Sequence, residues 1–109
     1  MDHAPSALIE SLKSLPGHED PHHAKRAELR TALRAKAPLD LRRPDGELLN
    51  VSAMDVSDSG VGFLCRTELD VNETVGLRLA YHHESEFEDF QIRRGTSTIG
   101  GYKVGAVIQ

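Results

Sequence analysis

Asp55, Ser57 and Gly60 stand in the order D-x-S-x-x-G within Asp55-Val56-Ser57-Asp58-Ser59-Gly60, where acids, hydroxyls and glycine crowd a run whose apolar members suit a buried strand. Residues two apart in an extended backbone project from one face, so this spacing sets a carboxylate acceptor beside a hydroxyl. Gly60 permits a positive φ or the close approach of another group. A turn closed by Asp and Ser through their own backbone would use the same residues, so a purely structural role stays open. Upstream, Arg30 and Arg34 are four apart in Arg30-Thr31-Ala32-Leu33-Arg34, and Arg26 stands four residues earlier still. In a helix the three would line one face, which could be a binding face or a solvated one.

Other chemistry is weaker. His18, His22 and His23 lie near Glu19 and Asp20, and His82 and His83 near Glu84 and Glu86, but nothing fixes a tetrahedral ligand set, and no metal or other cofactor is expected. No serine or cysteine is paired with an orienting base, so the chain does not read as an enzyme. Cys65, the one cysteine, sits in an apolar run and reads as a buried structural thiol. A net charge of −4 argues against a generic DNA or RNA binder, because the basic residues gather only between Lys25 and Arg43. The five aromatic residues on this acidic background argue against an RNA-binding sheet face. The first residues lack a basic segment ahead of a long apolar stretch, and no window approaches the ~20 apolar residues that span a bilayer. A cytoplasmic protein without membrane insertion is expected.

The elements that must position these groups change character near Pro38. Leu8, Ile9, Leu12 and Leu15 recur at helical spacing and stop at Pro16-Gly17, which predicts a short amphipathic helix. Asp20 as cap, Pro21 in the first turn and the good helix formers that follow predict a second helical stretch ending at Ala37-Pro38. From there the pattern is that of strands. Leu39 to Arg43 and Glu47 to Val56 form a hairpin across Pro44-Asp45-Gly46. Further strands are expected at Val61–Cys65, at Val75–Tyr81, within Phe87–Ile99, and at Tyr102–Ile108 after Gly100-Gly101. The polar stretch 82–88, His-His-Glu-Ser-Glu-Phe-Glu, reads as an exposed hairpin tip or a protein-contact loop. The resulting expectation is a mainly β chain: a helical arm over residues 1–37 and a small antiparallel six-stranded β-barrel over 38–109.

The order R-x-x-x-R, strand hairpin, D-x-S-x-x-G resembles the PilZ domain family, a family of cyclic di-GMP receptors. The resemblance extends to Gly60-Val61-Gly62-Phe63 and to the closing Tyr102-Lys103-Val104-Gly105-Ala106-Val107, and it covers residues 26–108. It implies a split-barrel fold and a cyclic di-GMP site made by Arg30, Arg34, Asp55, Ser57 and Gly60, with Arg26 as the alternative arginine. A guanidinium can fork onto guanine O6 and N7, pair with a phosphate or stack on a base, and Asp55 would accept from guanine N1 and N2. Ser57 would give a hydroxyl to base or phosphate, and Gly60 would keep the loop close to the ligand. In the family the arginine segment folds over the ligand, which implies a switch read by a protein partner in motility, biofilm or secretion control. Leu29 before the motif, instead of a further arginine, leans toward one ligand per domain. Relatives commonly carry a C-terminal helix that this sequence lacks, so another element must cover that end of the barrel. A PilZ-like adaptor that binds only protein is the second reading.

Overall fold

The computed structural model describes residues 6–15, 17–19, 31–81 and 85–109. Helix α1 (Ala7–Lys13) is followed by strands β1 (Gly17–Glu19), β2 (Thr31–Arg42), β3 (Leu48–Val56), β4 (Gly60–Cys65), β5 (Thr74–Leu79), β6 (Glu88–Thr98) and β7 (Gly101–Ile108). They form one antiparallel sheet in the order β1-β2-β3-β4-β7-β6-β5, and β5 pairs back onto β2. Six strands, β2 to β7, therefore close in a ring, and β1 lies outside it against the first residues of β2.

Alternation sorts the side chains between the inside of the ring and its outer surface. Ala37, Ala53, Phe63 and Val104 form one inward row across four strands, and Val56, Val61, Ala106 and Ile92 form another, all buried. Leu39 and Leu41 of β2 face Leu79 and Leu77 of β5 where the ring closes.

The helix expected around Leu8, Ile9 and Leu12 is present, and those three residues are buried in the core. At seven residues α1 is too short to hold as an isolated helix, so its docking makes it stable. The Ser6 Oγ accepts from Ile9 N at 3.1 Å and donates to Glu88 Oε1 at 2.6 Å, while Leu8 N donates to Glu88 Oε2 at 2.7 Å. Thus a carboxylate from the first residue of β6 takes the Leu8 amide and the Ser6 hydroxyl takes the Ile9 amide, two donors that a helix start leaves without partners. Lys13 pairs with Asp58 at the other end of the helix. Among the described residues the helix that packs on the ring is α1.

The second helical stretch is corrected in part. Residues 31–37 belong to β2 despite their helix-forming composition, and residues 20–30 lie outside the described residues. Thr31 and Ala32 are paired with Val56 and Asp55 on one side and with Glu19 and His18 on the other, so two ladders outweigh local propensity. Leu33 to Lys36 then bulge out of the ladder before pairing resumes at Ala37. Pro38 is a strand residue and not a boundary. Its carbonyl accepts from Ala80 N at 3.0 Å, so its missing N–H faces the same side, where β5 has already ended. The stretch 82–88 is partly assigned: residues 82–84 lie outside the described residues, Glu88 opens β6, and Phe87 stacks over Gly76 between the guanidinium groups of Arg42 (4.6 Å) and Arg78 (4.3 Å).

The end of β2 is tied to the start of β5 by a two-pronged ion pair. Arg43 Nε and Nη2 donate to Glu73 Oε2 and Oε1 at 2.8 and 2.9 Å, and the Glu73 side chain is only 6% exposed. The Arg43 hydrogen bonds hold the Glu73 carboxyl below its ordinary value of 4.5, outweighing the upward push of burial. A carboxyl with a depressed native pKa stabilises the fold fully above its unfolded pKa, and that contribution is lost as pH falls through the depressed value. Glu73→Gln should therefore cost about 1–3 kcal/mol at pH 7, with the deficit shrinking toward pH 3. Denaturant unfolding at both pH values measures it, and an equal deficit at each would mean that the charge is not what Glu73 contributes.

Candidate functional site

Asp55 and Ser57 come from the end of β3 and the turn that follows. Opposite Ala53 stands Phe63 and opposite Asp55 stands Gly62, so Met54 is an extra residue in β3. This bulge reverses the alternation: Ala53 faces inward before it and Val56 after it, and Asp55 is turned to the outer face. Without the extra residue Asp55 would point into the apolar interior.

On that outer face each polar residue sits over a glycine. The Asp55 carboxylate lies across Gly62, where a Cβ would stand 2.9 Å from Asp55 Cγ. The Ser57 Oγ lies 3.6 Å from where a Cβ on Gly60 would be. The two-residue spacing of Asp55 and Ser57 thus matches the two-residue spacing of Gly60 and Gly62 on the partner strand. Gly60 also packs against β7, its Cβ position being 2.7 Å from the Ala106 carbonyl oxygen. Ser57 N donates to the Gly60 carbonyl at 2.9 Å, and Ile108 N donates to Ser59 O at 2.8 Å, which fixes the turn to both neighbours. Ser57 is 4% exposed and Asp55 is half-buried.

The arginines are distributed differently. Arg26 and Arg30 lie outside the described residues. The strand after Arg30 begins at Thr31, opposite Val56, so the chain enters the ring beside the Asp55–Gly60 turn. Arg34 is exposed in the β2 bulge and lines a groove of about 280 Å³ with Leu15, Lys36, Pro38 and Tyr81. Asp55, Ser57 and Gly60 are therefore assembled together, whereas Arg34 faces another feature. The helical face proposed for the arginines does not extend to Arg34, which is in a strand.

The register continues past Gly62 to residues that the sequence did not single out. Gly62 is paired with Gly105 of β7, and Gly105 with Arg94 of β6, whose side chain lies over it with Cγ and Nε 3.4 Å from the Gly105 Cβ position. A second bulge, at Arg93, sets this phase. The signal available in the sequence was Arg93-Arg94 breaking the alternation of a strand, which gains meaning only from the pairing.

Burial raises the pKa of the Cys65 thiol, which suits a structural residue. Among the described residues no group of three or more His, Cys, Asp or Glu side chains is placed to hold a metal; His22, His23, His82 and His83 lie outside them. Among the described residues no helix is long and apolar enough to cross a membrane. No protein-family model matches the chain, and no curated protein matches it.

The two glycines separate stability from site geometry. Gly60→Ala meets a backbone oxygen of a paired strand and should cost about 1–3 kcal/mol in thermal or denaturant unfolding. Gly62→Ala meets a side chain that can swing away, so it should cost less while displacing the Asp55 carboxylate. If Gly62→Ala proved the more destabilising, the carboxylate would be held more rigidly than this packing implies.

Proposed function

We propose that the chain is a non-catalytic receptor domain of the PilZ type, a split barrel that binds cyclic di-GMP and passes the event to a protein partner in motility, biofilm or secretion control. The observation that carries this reading is the seating of Asp55 and Ser57 over Gly62 and Gly60 on the outer sheet face. It places a half-buried carboxylate acceptor and a buried hydroxyl two residues apart, packed over glycines that let both lie close to the sheet. The guanine N1 and N2 hydrogens suit Asp55, and Arg30 and Arg34 supply cations for two phosphates and two bases. Because β2 begins opposite Val56, the arginine segment is joined to the site directly, and ligand held by both would change how residues before Thr31 lie on the ring. With α1 docked through Glu88 and three core residues, the partner would read that segment against a fixed helix.

The second reading is a PilZ-like adaptor that binds protein and no nucleotide. Its support is the position of Arg34, which lines the groove with Leu15 and Tyr81 and not the Asp55 face.

Calorimetric titration with cyclic di-GMP, against GTP and cyclic di-AMP as controls, separates the two. Under the receptor reading the parent binds cyclic di-GMP selectively. Arg30→Ala and Arg34→Ala should each weaken binding by about 1–3 kcal/mol with little change in melting temperature. Asp55→Asn, which keeps a carbonyl acceptor, should retain more binding than Asp55→Ala. A parent that binds none of the three nucleotides would leave the adaptor reading standing.

A further inference from the structure

Where β2 leaves its ladder it opens a groove distinct from the Asp55 face. Pairing with β3 stops after Ala32 and resumes at Ala37, so Leu33 to Lys36 stand opposite Met54 alone. This excess pushes the strand outward and leaves Arg34, Ala35 and Lys36 exposed in succession. The ends of two other elements close in beside them. Leu15, just past α1, packs against the core, and Tyr81, just past β5, is 54% exposed. The bond from Ala80 N to Pro38 O holds the Tyr81 end against β2. Leu15, Ala37, Pro38 and Tyr81 thus make an apolar bed in a groove of about 280 Å³ that Arg34 and Lys36 also line. Among the described residues no acidic side chain lines it, and the ion pairs engage Lys13, Arg43 and Arg78 but neither Arg34 nor Lys36. Two cations therefore share an apolar groove without a counter-charge, in a chain whose net charge is −4.

From this arrangement we infer that the groove docks an acidic peptide segment of a protein partner, one large apolar side chain resting between Leu15 and Tyr81 while flanking carboxylates pair with Arg34 and Lys36. The inference rests on the protein partner that both readings above share. Like charges beside each other repel, and carboxylates brought by the partner relieve that repulsion. The Arg34 guanidinium can fork onto one carboxylate, and Lys36 adds a point charge for a second. Tyr81 offers the rigid, amphipathic area that anchors protein interfaces. The volume falls below the roughly 300–1,000 Å³ of pockets that enclose small molecules, so the groove takes a side chain and not a whole ligand. A nucleic acid would need a broader basic field than two residues on an acidic chain.

The test is selection of short random peptides displayed on phage against the full chain. The parent should enrich peptides in which Asp or Glu flanks Phe, Leu or Trp. The strongest of them, made with a fluorescent label, is then titrated by anisotropy. Lys36→Ala and Tyr81→Ala should each weaken it about fivefold or more, and Lys36→Glu more than tenfold. Added salt should weaken it as well. Lys36 is exposed, so its variants should melt close to the parent. These two positions carry the test because Arg34 is also assigned to the nucleotide, whereas Lys36→Ala and Tyr81→Ala should bind cyclic di-GMP as the parent does. Selection without acidic enrichment overturns the inference, as does a selected peptide that binds Lys36→Glu within about twofold of the parent. The nucleotide titration then judges the receptor reading by itself. Self-association of the parent that Lys36→Glu abolishes, measured by sedimentation, would put a second copy in the groove and also overturn the inference. A parent that takes the acidic peptide but no cyclic di-GMP supports the groove and removes the receptor reading.

Discussion

The single extra residue Met54 sets the phase of β3 beyond it, and the outer face of the sheet depends on that phase. A strand has two sides and a period of two, so one inserted residue exchanges them. Before Met54, Val51 and Ala53 face the core; after it, Val56 does, and Asp55 is released to the surface. The ring could not accept the alternative, because Asp55 in the inward row would stand among Phe63, Val61 and Ile92 without the solvation that a carboxylate requires. The same device recurs on β6, where the bulge at Arg93 keeps Ile92 inside and brings Arg94 out over Gly105. Two irregularities on strands three steps apart thus aim two charged residues at one strip of sheet.

Ring closure supplies the rigidity that makes this placement durable. Where β2 meets β5, Leu39 and Leu41 pack inward, and Asp40 and Arg78 pair across the ladder at 3.1 Å. Phe87 covers the outside of that seam over Gly76. Beyond the seam β2 leaves the ring at Leu33–Lys36 and exchanges β5 for β1 as its neighbour, so one strand belongs to two environments. Its core half is fixed by burial, and its first residues are fixed by pairing beside the Asp55–Gly60 turn.

Strands β3 to β7 were legible because alternation, Pro44-Asp45-Gly46 and Gly100-Gly101 mark them out; Gly46 and Gly100 do adopt positive φ, at 94° and 85°. Helix α1 was legible from Leu8, Ile9 and Leu12, though its bond to Glu88 was not, since the partners are eighty residues apart in sequence. The first half of β2 was misread for a physical reason. Ala, Leu, Arg and Lys favour helix locally, and only the presence of Val56, Asp55 and β1 on either side makes the extended form better. At the candidate site, the shared face of Asp55 and Ser57 and the close approach at Gly60 could be read from spacing, which by itself left a purely structural turn open. Gly105 and Arg94 could not, because their nearness to Asp55 exists only through the cross-strand register.

The hairpin of β6 and β7 reaches past the ring. Residues 88–91 of β6 are flanked by β5, but among the described residues 94–98 pair with β7 alone and are exposed. Such a rim has unmatched amides and carbonyls that another molecule's strand could copy, the usual seed of self-association. Here the rim is Arg-Gly-Thr-Ser-Thr with Arg93 beside it, so a second copy laid antiparallel would have to bring guanidinium groups near their own kind and desolvate a row of hydroxyls. The hairpin is thereby kept wet, and its exposed Ile99 tip stands alone beyond it without an apolar neighbour on the strand to enlarge it into an adhesive patch.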